Sequence, residues 1–373
     1  MYFKATNHNI DHTTVARISK ADNGDITFIG KSFANSILDV DGTITTGINA
    51  AVAGKYLLHV SNGDQTLQDK DILLIYPSGG VRLLYRSSWF SNAIFMTNQC
   101  NNNCICCPQP PKDDLEDLLG IALQMVQLIT DESPIIGITG GEPTSVWNNL
   151  INIIGFTKTV LPKSFLHLLT NARAIADYDK AAQLASVSQG DILVCTPIYS
   201  DVHHLHDEVT EVNGSFWEAI SGLKNLARAS VPIEIRVLIS QQNYTRLPQI
   251  AHFIYRNLPF VSHVALMGIE LVGYAAKNKK NLWVSPTVYM PYLEEAIHML
   301  EQRDMHASIY NHPLCIVPDN LNKYLRSSVS EWKISYPKVC ANCIDKENCP
   351  GFFSSVTKEI EPELKPFRMS IAS

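Results

Sequence analysis

Apolar residues recur along this chain in two rhythms, and the change between them falls near residue 90. Before it, short runs at Asp25 to Ile29, Lys55 to Val60 and Asp71 to Tyr76 are separated by Asn-Gly, Asp-Gly, Asn-Gly-Asp and Ser-Gly-Gly sequences. That punctuation predicts a small antiparallel β-rich module over residues 1–89. After it, strand-like runs alternate with stretches of helical spacing. Strands are expected at Asn92 to Thr97, Ile135 to Thr139, Phe165 to Thr170, Ile192 to Ile198, Ile233 to Ile239 and His263 to Ile269. Between them Leu115, Leu118, Leu119, Ala122, Val126 and Ile129 form one helical face, with Asp113 and Asp114 at its expected start. Further helices are expected at Asn148 to Val160, Ile175 to Val187, Phe216 to Ala229, Arg246 to Leu258 and Val288 to Gln302. Repeated β-α units with nearly uniform apolar strands predict an α/β fold with a parallel sheet covered on both faces. The expected core is an open, partial (β/α)6 TIM-like barrel over residues 90–303, followed by a Cys-rich extension over 304–373.

Composition narrows the function classes. The 373 residues are 46% hydrophobic and 18% charged, enough for a substantial core. The net charge of −6 and the lack of a basic tract argue against nucleic acid as a partner. No apolar run is long enough to span a bilayer, and the start MYFKATNHNIDH has no apolar signal core. These features predict a cytoplasmic protein without a membrane partner.

The candidate chemistry lies in the nine cysteines, most of which are clustered. Cys100, Cys104 and Cys107 stand as C-x3-C-x2-C directly after the first strand of the core. Three thiolates on one short loop can hold three irons of a [4Fe-4S] cube and leave the fourth open to a chelating small molecule. Buried or zinc-binding cysteines are the alternative at this spacing. The second core strand then ends in Gly140, Gly141, Glu142 and Pro143. In a barrel of this class the site sits at the C-terminal strand ends, where both motifs fall. Asn171, Thr196, Ser200, Arg236 and Glu270 are further polar candidates at that rim.

The three cysteines followed by Gly-Gly-Glu-Pro after the next strand resemble the radical S-adenosylmethionine (SAM) superfamily. That resemblance implies that the amino and carboxylate groups of SAM chelate the open iron. Gly140, Gly141, Glu142 and Pro143 would then lie beside the SAM amine, the glycines because bare backbone approaches a ligand closely. Asn171, Thr196 and Arg236 are carried over as SAM contacts, Thr196 and Arg236 for ribose and carboxylate. The chain departs from the pattern in two places: Cys106 stands where an aromatic residue often precedes the third cysteine, and Pro197 stands where a serine often precedes the tyrosine, here Tyr199. His203, His204 and His206 read as surface loop histidines rather than metal ligands.

Cys315, Cys340, Cys343 and Cys349 form C-x24-C-x2-C-x5-C. Four thiolates suit either a second iron–sulfur cluster or a tetrahedral structural zinc. The tail resembles the SPASM or twitch extensions of peptide-acting radical SAM enzymes, which implies an auxiliary [4Fe-4S] cluster. Taken together, CNNNCICCPQPP, GITGGEPT, HLLTNAR, HDEVTEVNGSF and CANCIDKENCPGFF resemble the His-Xaa-Ser system radical SAM maturases. This implies an enzyme that uses a 5′-deoxyadenosyl radical to form an oxidative crosslink or heterocycle in His-Xaa-Ser motifs of a ribosomally made precursor peptide. Its implied partners are that peptide, a second radical SAM maturase and an electron donor. The same cysteines would serve a sulfatase-maturase-like enzyme, a small-molecule oxidase, or a non-catalytic peptide-docking subunit.

Overall fold

The computed structural model describes residues 2–8, 12–20, 26–33, 37–45, 56–60, 67–328 and 333–367. Their packing forms two compact units. The first comprises Met1–Met96, Asp114–Thr139 and Asn148–Leu166, so the N-terminal module packs together with the first core elements. Seven strands form a closed barrel: β1 Tyr2–His8, β2 Thr14–Lys20, β3 Ile26–Phe33, β4 Ile37–Thr45, β5 Tyr56–Val60, β6 Ile72–Ile75 and β7 Gly80–Tyr85. The pairing is antiparallel except for β4 with β5. Asp41-Gly42 is not the turn its sequence suggests; it lies within β4, opposite Ile29 and Phe28. The Asn23-Gly24 and Asn62-Gly63-Asp64 turns lie outside the described residues. Ala16, Ile18, Phe28, Leu73, Ile75 and Val81 form the buried interior. Beside it Asp71 receives Arg86 through Nε at 3.1 Å and Nη2 at 2.8 Å, a fork that satisfies a fully buried carboxylate.

The same unit holds β8 Ser91–Phe95 and β9 Ile135–Thr139, paired in parallel, with α1 Leu118–Leu128 between them. Helix α1 starts later than its acidic residues suggest. Asp117, not Asp113, is the cap, accepting from the Gly120 N–H at 2.9 Å, and Leu115 is left exposed. Helix α2 follows at Trp147–Val160.

The second unit comprises Thr97–Asp113, Gly140–Trp147 and His167–Ser373. Its elements are β10 Phe165–Leu169, which begins in the first unit, α3 Tyr178–Ser188, β11 Ile192–Pro197, α4 His203–Thr210, α5 Ser215–Arg228, β12 Ile233–Leu238, α6 Leu247–Asn257, β13 His263–Met267, α7 Gly273–Lys277, α8 Lys279–Leu282, α9 Pro286–Glu301, β14 Ala307–Tyr310 and β15 Leu325–Arg326. The whole sheet is open and has the order β15-β14-β13-β12-β11-β10-β9-β8. The fold is therefore parallel α/β, with eight strands where six are expected. The extra two, β14 and β15, lie beyond residue 303 and are too short to announce themselves. The helix expected from Ile175 begins at Tyr178, because Asp177 adopts an extended conformation and caps the Asp179 N–H. Helix α4 has no counterpart in the sequence reading; its HHLHDEVT sequence carries too little apolar periodicity. A two-stranded pair, β16 Ile334–Ser335 with β17 Phe352–Phe353, carries Cys340, Cys343 and Cys349 between its strands.

Candidate functional site: a cysteine loop clasped by a glycine turn

The register of β11 to β15 sorts the polar candidates onto two faces, because paired residues in a parallel sheet point the same way. Cys195, Pro197, Glu234, Arg236, His263, Ser308 and Tyr310 share one face. Glu234 joins them: Oε1 accepts from Arg236 Nε at 2.6 Å and Oε2 meets His263 Nδ1 at 2.8 Å, while His263 Nε2 reaches Ser308 Oγ at 3.0 Å. Thr196 lies on the other face with Val194, Ile235, Val237 and Leu266, fully buried, its hydroxyl without a hydrogen-bond partner. The two residues carried over for ribose and carboxylate are thus not brought together. Alternation along one strand was readable in the sequence; the register between strands was not.

Burial works against the Glu234 charge, but the bonds from His263 and Arg236 outweigh it and hold the carboxyl down to about 2. A carboxyl whose folded pKa lies below its unfolded one stabilises the fold above the unfolded value, and that contribution is lost as pH falls from about 4.5 to about 2. At 1.36 kcal/mol per unit the contribution is roughly 3 kcal/mol. Urea unfolding of Glu234→Gln is therefore expected to show a flatter pH dependence across that window than the unsubstituted chain. Equal slopes would remove the role.

The cysteine loop is built chiefly by backbone contact with the glycine turn. Gly141 N–H donates to Thr97 O, and Glu142 N–H donates to Gln99 O, each at 2.7 Å. A Cβ on Gly141 would stand 2.2 Å from Gln99 O, and one on Gly140 2.6 Å from Thr97 O. The cysteine loop itself therefore requires glycine at both positions. Glu142 is buried and saturated: Oε1 accepts from the Thr144 N–H at 2.9 Å and from the Thr144 and Thr170 hydroxyls at 2.6 Å, and Oε2 accepts from the Asn171 N–H at 2.7 Å. Burial pushes this carboxyl above its ordinary range, and the four donors oppose that push. Its side chain ties the turn to the end of β10 and leaves the turn's backbone to face any ligand. Pro143 is buried and starts a short 3₁₀ turn.

Each asparagine between Cys100 and Cys104 has a partner. Asn101 Oδ1 accepts from Asn171 Nδ2 at 2.7 Å, and Asn102 Oδ1 accepts from Arg173 Nη1 at 2.6 Å, the same nitrogen that reaches Asn101 O. Asn103 pairs with Glu211, while its N–H and that of Ile105 donate to Thr210 O and Val209 O. Beyond the third cysteine, Cys107 O accepts from the Tyr274 N–H at 2.8 Å. Gly273, at φ +58, lies so close that a Cβ would be 2.5 Å from Pro108 O. Arg173, Glu211 and Gly273 thus build the site from a distance, with no signal in the sequence beyond the quoted HLLTNAR and HDEVTEVNGSF stretches.

Burial raises the pKa of all three loop thiols, that of Cys100 to about 11, and neighbouring sulfurs add to the effect at Cys100 and Cys104. Burial thus disfavours the thiolate forms, and a cationic iron group would reverse that preference. Three neighbouring half-buried thiols on a braced loop fit a [4Fe-4S] cluster by number and softness. Cys106 differs. It is buried in one apolar cluster with Val209, Ala275 and Phe352. Cys106→Ala is expected to keep its full iron complement and to cost about 1 kcal/mol of stability; parallel iron analysis and thermal unfolding check both.

His206 corrects the surface-loop reading: it lies in α4 and is buried, whereas His203 and His204 are exposed. Asp207 accepts from the Gly214 and Phe216 N–H groups at 2.7 and 2.9 Å and from the Ser215 hydroxyl at 2.8 Å, fixing the turn into α5. Ser200 serves its own turn through the Val202 N–H, and Glu270 pairs with Lys333 at 2.8 Å. In the tail, Cys315, Cys340, Cys343 and Cys349 line one cavity with Tyr336 and Phe352. Among the described residues no three His, Cys, Asp or Glu side chains stand ready around a single metal ion.

No family model matches the chain. It is 26% identical over 160 residues to the Fe-coproporphyrin III synthase of Methanosarcina barkeri, which is 42% of this chain and 38% of that protein. The chain therefore spans well under half the length of this relative. Similar solved structures include SuiB of Streptococcus suis bound to precursor peptide SuiA, at 18% identity and a TM-score of 0.49, covering 60% of this chain and 49% of that one. Another is a radical SAM methyltransferase of Sphaerobacter thermophilus, at 10% identity and a TM-score of 0.43, covering 80% and 77%.

Proposed function

We propose that the chain is a radical SAM enzyme that modifies His-Xaa-Ser motifs of a ribosomally made precursor peptide. The observation that supports the reading is the lock between the Gly140-Gly141 turn and the Thr97–Gln99 backbone, which braces the start of the loop that carries Cys100, Cys104 and Cys107. When bound, a [4Fe-4S] cluster supplies the electron that cleaves SAM. The protein's part is placement. The backbone of residues 140–143 and the amide of Asn171 border the loop, and Arg236 offers a cation on the polar face of the sheet. Thr196 contributes by packing. The peptide substrate, a partner maturase and an electron donor rest on the motif resemblance. Among the described residues no helix is long and apolar enough to cross a membrane.

The tail cysteines are assigned to a second [4Fe-4S] cluster, supported by their shared cavity. Anaerobic reconstitution should then give about eight irons per chain and no zinc; about four irons with one zinc would reject the second cluster. The reading as a whole is tested with reduced protein, SAM and a His-Xaa-Ser peptide. Deoxyadenosine together with a peptide mass lower by the loss of hydrogen supports it. SAM cleavage with an unaltered peptide would move the assignment to another substrate.

A further inference from the structure

Tyr199, just beyond β11, is aimed at the cysteine loop. Its hydroxyl lies 3.9 Å from Cys104 Sγ, within the reach of an O–H···S hydrogen bond, and also meets the Cys106 thiol, and the ring packs in the same apolar cluster as both cysteines. The aim is fixed from behind. Tyr199 N–H donates to His206 Nδ1 at 3.2 Å, and Tyr199 O accepts from Asn243 Nδ2 at 2.9 Å. Asn243 is itself held, its Nδ2 donating to Leu238 O and its Oδ1 accepting from the Ser240 N–H, each at 2.9 Å. Burial keeps His206 neutral, its pKa pushed down to about 4, so Nδ1 offers a lone pair at neutral pH. The Tyr199 and His206 rings pack with centroids 5.4 Å apart.

We propose that Tyr199 donates a hydrogen bond to the Cys104 sulfur and thereby sets the reduction potential of the cluster held by Cys100, Cys104 and Cys107. The proposal rests on the reading of that loop as the SAM-binding cluster site. A donor on a ligand sulfur stabilises the more negative, reduced cluster more than the oxidised one, and so raises the potential. Tyr199 acts through Cys104 and is a positioning residue.

The test compares full-length Tyr199→Phe with the unsubstituted chain after anaerobic reconstitution, using a redox titration followed by electron paramagnetic resonance. The signal that changes on adding SAM identifies the relevant cluster in each sample. The expected result is equal iron content, a potential shifted to more negative values, and loss of an exchangeable proton coupling that deuterium oxide removes from the unsubstituted protein. An unchanged potential with the coupling retained would overturn the proposal, as would loss of iron, which would make Tyr199 a structural support. A SAM-sensitive signal absent from both samples would instead overturn the cluster assignment on which the proposal rests.

Discussion

Replacing Gly141 with alanine is expected to strip the cysteine loop of most of its iron and to slow SAM cleavage by about 100-fold. The added methyl would stand 2.2 Å from Gln99 O, 2.7 Å from Gln99 C and 2.8 Å from Asn98 O, all backbone atoms with no rotamer to relieve the clash. The carbonyls must move by about 1 Å to reach ordinary contact, and forced overpacking of this kind costs about 1–3 kcal/mol. That movement breaks the bond from Glu142 N–H to Gln99 O and shifts Cys100, the next residue. The fold should survive, since the clash is confined to one turn and one loop. Thermal unfolding close to the unsubstituted value, with iron and deoxyadenosine both sharply reduced, is the predicted pattern. Full iron retention would show that the loop finds its geometry without the turn.

Glu142→Ala is expected to act by a different route, destabilising the fold by about 3–5 kcal/mol, because it strands four donors around a buried site. Glu142→Gln should fall between. With its oxygen on the two threonine hydroxyls, its NH2 group faces the Asn171 N–H, donor against donor. Urea unfolding should therefore rank the unsubstituted chain above Gln and Gln above Ala, with iron content following the same order. If Glu142 instead grips the ligand with its side chain, SAM affinity will fall in the Gln variant while the urea midpoint stays put.

These two cases mark how far the sequence could be read. It announced the order of strands, because strands buried on both faces are apolar throughout and need no partner to be recognised. Both motifs could be assigned to strand ends for the same reason. What close approach the glycines serve could not be read, since Gln99 becomes the neighbour of Gly141 only when two strands lie side by side. Arg173 was visible only as part of a quoted motif, and its grip on Asn101 and Asn102 is a tertiary fact. That Thr196 and Arg236 lie on opposite faces could not be read, because side-chain alternation fixes the face only within a strand. His206 was read as exposed since a helix of such polar composition gives no apolar stripe, yet one of its histidines turns inward to meet the Tyr199 backbone.

The ring closure of β1 to β7 bears on how a substrate peptide can be held. Among the described residues each strand there has a neighbour on either side, so the ring has no edge strand. On the proposed function, a leader segment would find no edge strand to extend among the described residues, and so would lack the mode in which main-chain bonds supply affinity and side chains only refine it. A hold on a proposed leader through side chains would then depend on the leader's sequence more than on its extended shape.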